Sequence, residues 1–144
     1  MAQDKPGQDR LGYSVKRAEQ ALMARKAHAL REFDLTVAQY GALQLLSTSA
    51  GMSAAQLARD CLVTPQTMAT VLGNLEAKGL IERHASELHQ KVLVTTVTPA
   101  GRALAREANR AALAVERELA AEFSAEELAM LRALLERAAK TLAR

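Results

Sequence analysis

The sequence predicts a mainly α-helical fold carrying one small β-hairpin, and three observations predict it. Two short helical patterns separated by a tight break lie between Met52 and Gly79. Two β-rich runs around a polar tip follow directly. Long amphipathic stretches occupy both ends of the chain. Apolar residues at helical spacing mark the helices, and clustered β-branched residues mark the hairpin.

Each element has its own signal. The opening MAQDKPGQDR is polar and charged with no apolar segment, so residues 1–8 read as a disordered N-terminus and not as a signal peptide. Residues 9–33 are helical in propensity, with Leu11, Val15, Ala18, Leu22, Ala29, Leu30 and Phe33 forming an apolar stripe. A further helix is expected over LTVAQYGALQLL at 35–46. Ser53 can cap the next one, where Ala54, Leu57, Ala58 and Cys61 share an apolar face. After Leu62 and Val63, Thr64 is suited to accept orphan amides as N-cap, and Pro65 fits the first helical position, which needs no donor. The helix that follows turns Met68, Val71, Leu72 and Leu75 inward and Gln66, Thr67, Thr70 and Asn74 outward, and Gly79 ends it. The runs Leu80 to His84 and Lys91 to Thr98 then flank a glycine-free tip whose turn type stays open.

Pro99-Ala100-Gly101 opens a long helix lined by Leu104, Ala108, Ala111, Ala112, Val115, Leu119 and Phe123. Ser124 with Glu127 forms a capping box for the last helix, whose apolar face is Leu128, Leu131, Leu134, Leu135, Ala138 and Leu142. Such faces need burial, and terminal helices that intertwine across a two-fold axis would supply it.

Composition narrows the function. A chain of 144 residues, 49% hydrophobic but without a long apolar run, reads as one compact domain or one protomer, with no membrane span. One cysteine excludes an internal disulfide framework and fits the cytoplasm. The three histidines have no metal-ligand spacing, and no nucleophile elbow or phosphate loop is present, so neither an enzyme nor a cofactor is expected. Charge is concentrated instead. From Lys78 to Arg106 five Lys and Arg face two Glu, a balance of +3 that equals the charge of the whole chain. A basic hairpin beside a helix with a polar, donor-rich outer face is the electrostatic footprint of duplex DNA binding.

The motifs VTPQTMATVLGNLEAKGLIER at 63–83, LTVAQYGALQLL at 35–46 and VLVTTVTPAG ending at Gly101 resemble the MarR-type (multiple antibiotic resistance regulator) winged helix-turn-helix regulators over nearly the whole chain. The resemblance implies a homodimeric repressor that places two recognition helices on a near-palindromic operator. It implies a dimerisation helix at 9–33, a DNA-binding lobe at 34–98 and dimerisation helices at 99–144. Ser53, Thr64, Gln66, Thr67, Thr70, Asn74, Lys78, Arg83, His84, His89 and Lys91 are then expected at the DNA. Two departures stand out: His89 and Lys91 occupy the wing positions where the family usually carries Asp and Arg, and Thr70 and Asn74 stand where arginines are common.

The resemblance also implies release by a small aromatic or phenolic effector, for which Tyr13, Arg17, His28, Arg31 and Tyr40 are candidate contacts, with ordinary surface roles the simpler reading of each. Two other readings compete. The polar helix could dock on a protein, which its lack of Lys and Arg favours and the basic wing disfavours. Cys61 could sense oxidants, but the peroxide-sensing branch carries its cysteine in the first helix, and the apolar position of Cys61 suits a small core residue.

Overall fold

A computed structural model describes residues 7–88 and 91–143. The stretch expected to be disordered, 1–8, lies outside the described residues except for Gly7 and Gln8, in a turn where the Arg10 amide donates to the Gly7 carbonyl (3.2 Å). The elements are α1 (Leu11–Leu30), a 3-10 turn (Arg31–Phe33), α2 (Val37–Ser47), α3 (Ala54–Asp60), α4 (Pro65–Ala77), β1 (Ile81–Ala85), β2 (Leu93–Val97), α5 (Pro99–Ala120) and α6 (Ala125–Leu142). The two strands pair antiparallel, from Ile81 opposite Val97 to Ala85 opposite Leu93. The expected fold class, mainly helical with a hairpin wing, is the one observed.

Local chemistry sets the boundaries. Ser53, Thr64 and Ser124 each accept the backbone N–H three residues on, and Glu127 closes the Ser124 capping box. A second capping box, Thr36 with Gln39, starts α2. Its Thr-x-x-Gln signature is a further local signal of a helix start, beside the Ser53, Thr64 and Ser124 caps. Helix ends follow one pattern in three places. Asp34, Leu62 and Gly79 take left-handed conformations, with φ of 54°, 57° and 72°. In each case two amides fold back onto the preceding helical turn, as when Leu62 N–H meets the Arg59 carbonyl and Val63 N–H the Ala58 carbonyl. Gly79 adopts this geometry freely, but Leu62 does so against the steric preference of an L-residue.

α2 sits at the centre, packed against α1, α4, α5 and β2. Its Ala42, Leu43 and Leu46 are at most 1% exposed and join Leu57, Met68, Leu72, Leu75 and Ile81 in one core. That core does not stop at the hairpin: Ala105 and Ala108 of α5 belong to it. The buried stripe of α5 is Gly101, Ala105, Ala108, Ala112 and Val115, which keeps Ala108, Ala112 and Val115 of the expected one and adds Gly101 and Ala105. Leu104, Ala111 and Phe123 are half-buried, and Leu119 is exposed. The reason is close approach. A Cβ at Gly101 would lie 2.1 Å from the Leu80 carbonyl oxygen, so a small residue of α5 makes the closest approach to the lobe, with Leu104 packed half-buried beside it. Thr98 fastens the same corner: its N–H donates to the Leu80 carbonyl (3.0 Å), and its hydroxyl donates to the Gly79 carbonyl (2.8 Å) and accepts from Gly101 N–H (3.1 Å).

The wing gains a second pairing that periodicity could not show, because it involves a single residue. Met52 and Thr95 exchange both backbone hydrogen bonds, at 3.0 and 2.8 Å. Gly51 beside it is constrained as well, since a Cβ there would lie 2.6 Å from Val94 Cγ1 and its φ is +144°.

The terminal helices behave differently from the lobe. On α1 only Leu30 is buried, while Leu11, Val15 and Ala18 of the expected stripe are exposed. Ion pairs of Arg25 with Glu118 and Lys26 with Glu116 tie α1 to α5. No described residue of α6 is buried, and Leu131, Leu134 and Leu135 are 37–48% exposed. No helix among the described residues is long and apolar enough to cross a membrane.

Candidate nucleic-acid interface

Residues of α4 sort cleanly by face. Met68, Leu72 and Leu75 are fully buried and Val71 nearly so, which fixes the rotation of the helix on the lobe. Gln66, Thr67, Thr70 and Asn74 are all exposed on the other side, as the sequence predicted. Capping also arranges polar chemistry at the start of this helix. Thr64 Oγ1 accepts from Thr67 N–H (3.1 Å) and donates to Thr67 Oγ1 (2.9 Å), which leaves the Thr67 hydroxyl proton free to point outward. Thr70 spends its hydroxyl proton on the Gln66 carbonyl at 3.3 Å. Ser53 is half-buried, and its hydroxyl accepts from Gln56 N–H at 3.2 Å.

Two cations expected at the DNA are engaged within the protein. Lys78 Nζ donates to the Asp34 carbonyl (2.6 Å) and pairs with its carboxylate (3.3 Å), fastening the end of α4 to the turn after α1. Arg83 clamps Glu76 with two hydrogen bonds, Nη2 at 3.1 Å and Nε at 3.2 Å, and so joins the wing to α4. These bonds hold the Glu76 carboxyl below its ordinary range and push the Arg83 guanidinium further up. The partners are 44 and seven residues away in sequence, at spacings that no helix-face pattern reveals. His84 on β1 and Lys91 at the wing tip are exposed; His89 lies outside the described residues.

The five candidate effector contacts do not converge within one protomer. Tyr13 and Arg17 line a shallow depression on α1 with Gln8 and Ser14. His28 and Arg31 line another near the end of that helix. Tyr40 stands apart between α2 and α5, its hydroxyl donating to Asn109 Oδ1 at 2.6 Å. Burial, with Glu116 adding to it, raises the pKa of this phenol, so it stays protonated. Cys61 is half-buried, and burial followed by the Asp60 charge pushes its thiol up, away from the reactive thiolate.

Comparison with known proteins agrees with this geometry. Residues 33–91 match the MarR family model. Over 137 residues the chain is 36% identical to the HTH-type transcriptional repressor Rv2887 of Mycobacterium tuberculosis, covering 95% of this chain and 96% of that protein. It is 29% identical over 129 residues to the homoprotocatechuate degradative operon repressor of Escherichia coli, 89% of this chain and 86% of the relative. Among solved structures, Rv2887 in complex with p-aminosalicylic acid superposes with a TM-score of 0.70 at 36% identity, over 90% of this chain and 98% of that one. The S. aureus MepR–DNA complex shares the fold at a TM-score of 0.85 and 22% identity, over 92% and 98% of the two chains. An exposed polar helix seated by a capped turn, a hairpin beside it and near full-length similarity to a repressor together place this chain in the MarR family of winged-helix DNA-binding transcriptional regulators.

Proposed function

We propose that the protein acts as a homodimeric repressor, gripping a near-palindromic operator with two copies of α4 and the wing and leaving it when a small aromatic or phenolic anion binds. The observation that carries this reading is the two-sided α4. Its inner stripe is locked into the core, so its outer polar face is held at a fixed angle, as docking in a major groove requires. Gln66, Thr67, Thr70 and Asn74 are assigned to base edges, and His84, His89 and Lys91 to the minor groove or phosphates. Ser53 and Thr64 serve chiefly as caps, with the Ser53 hydroxyl proton available to phosphates and that of Thr64 given to Thr67. Lys78 and Arg83 act by holding the reader in place.

The exposed leucines of α6 and the outward side of α1 support pairing with a second copy, which would also bring the scattered Tyr13, Arg17, His28, Arg31 and Tyr40 near residues of a partner. The effector class rests on the relative Rv2887, whose solved structures include complexes with p-aminosalicylic and salicylic acid. An effector that prefers a dimer with wrongly spaced readers lowers operator affinity by its differential binding.

Fluorescence anisotropy on duplexes across a salt series tests the reading. Lys91→Ala should weaken all duplexes alike and reduce the salt slope by about one unit. An unchanged affinity and slope would remove the wing from the interface. Salicylate should release the operator, and its failure to do so would strike the effector class while leaving DNA binding intact.

A further inference from the structure

The side chains of α4 also say which base pairs it selects, given that it docks in the major groove as proposed above. The helix contains no Lys or Arg, and its one charged residue is Glu76. Guanine is read mainly by arginine or lysine at O6 and N7, and cytosine by carboxylates that accept from N4. Neither chemistry is on offer here. Glu76 gives both oxygens to Arg83, and Lys78, the residue after the helix, is turned back onto Asp34.

What faces outward is a pair of amides, Gln66 and Asn74, and a pair of threonines, with Ala69, Gly73 and Ala77 exposed among them. Spacing by four places Gln66, Thr70 and Asn74 along one side of the helix. Amide side chains form bidentate pairs with adenine N6 and N7, and threonine and alanine methyls pack against the thymine methyl. With its hydroxyl proton bound to the Gln66 carbonyl, Thr70 has a methyl group and lone pairs left for a base. Gly73 fits the same picture. A Cβ there would touch nothing within 4 Å, so no packing inside the protomer calls for glycine, and its bare backbone allows the helix to lie close to base edges.

We propose that α4 reads A·T base pairs in the major groove of each half-site, through the Gln66 and Asn74 amides on adenine and the Thr70 and Ala69 methyls on thymine. The test is selection of the full chain on a randomised duplex pool. The enriched duplex is then resynthesised with 7-deazaadenine for adenine or uracil for thymine, changes confined to the major groove. The expected result is an operator with A·T at its most constrained positions and about tenfold weaker binding for 7-deazaadenine at the amide-read adenines. Gln66→Ala should erase that sensitivity at one position per half-site. Constrained G·C positions would overturn the proposal, as would an A·T-rich operator indifferent to both analogues, whose selection would then lie in groove shape. Either result leaves duplex binding standing. Weak, uniform binding with no enriched sequence would overturn the proposal and the DNA-reading assignment together.

Discussion

The reader lobe and the terminal helices are built from the same kind of amphipathic pattern, yet they dispose of it in opposite ways. In the lobe the apolar faces meet inside one chain: Leu43, Leu57, Leu72 and Leu75 are all fully buried, and the outward face of α4 carries Gln66, Thr67, Thr70 and Asn74. On α6 no residue is buried: Met130, Leu131, Leu134 and Leu135 remain exposed, with Leu128 and Ala138 half-buried. A hydrophobic stripe thus records that a surface must be covered without saying by which chain. The lobe's apolar faces are covered within the chain, with Leu30, Ala105 and Ala108 joining its core, whereas the leucines of α6 are not.

Substitutions can break or sharpen that contrast. Leu72→Ala, in the lobe core, should lower unfolding free energy by about 3 kcal/mol in chemical denaturation. Leu135→Ala should alter protomer stability by less than about 1 kcal/mol but shift the sedimentation profile toward monomer. Equal effects at the two sites would erase the distinction. At the seam between the regions, Gly101→Ala drives a Cβ into the Leu80 carbonyl and should cost about 2 kcal/mol.

The left-handed turns offer a finer comparison. Leu62 is 92% exposed at φ 57°, so Leu62→Gly loses no packing, and relief of strain should outweigh glycine's entropy cost by about 0.5 kcal/mol. Gly79→Ala should cost about 1 kcal/mol. A destabilised Leu62→Gly would mean that the side chain has a contact worth more than the strain.

The smallest effect is a pH dependence. Arg83 depresses the Glu76 carboxyl, so the stability gained from this pair is present above the ordinary carboxylate pKa and is lost as pH falls through the depressed one. Glu76→Gln should therefore flatten the acid limb of a stability–pH profile slightly. An unchanged limb would show the pair to be solvent-screened.

Much of the lobe was legible because its signals are local. Caps at Ser53 and Thr64 and the proline after Thr64 act within one helical turn, and the four-residue inner stripe of α4 within about two. Features set by contacts distant in sequence were not. Nothing around Asp34 or Leu62 announces a left-handed residue in the way glycine does at Gly79, and the Met52 pairing with Thr95 has no period. Lys78 and Arg83 were assigned to DNA because positive charge is visible in sequence and its partner is not. The stripe of α5 was read only in part for a related reason: Ala108, Ala112 and Val115 were placed on it, but large residues mark an apolar face and the closest contact is made by the smallest, Gly101.

The corner at Thr98 has a mechanical consequence. One residue joins the end of α4, the base of the wing and the first turn of α5, so there is no slack between the long helix and the reader. With 22 residues, α5 is roughly 33 Å long at 1.5 Å per residue. A tilt of about 10° at its far end would sweep the near end through about 6 Å. That exceeds the ~3.4 Å rise between stacked bases, so in the proposed dimer a slight adjustment between the copies would be geared up into a shift of more than one base pair at the proposed reading surface.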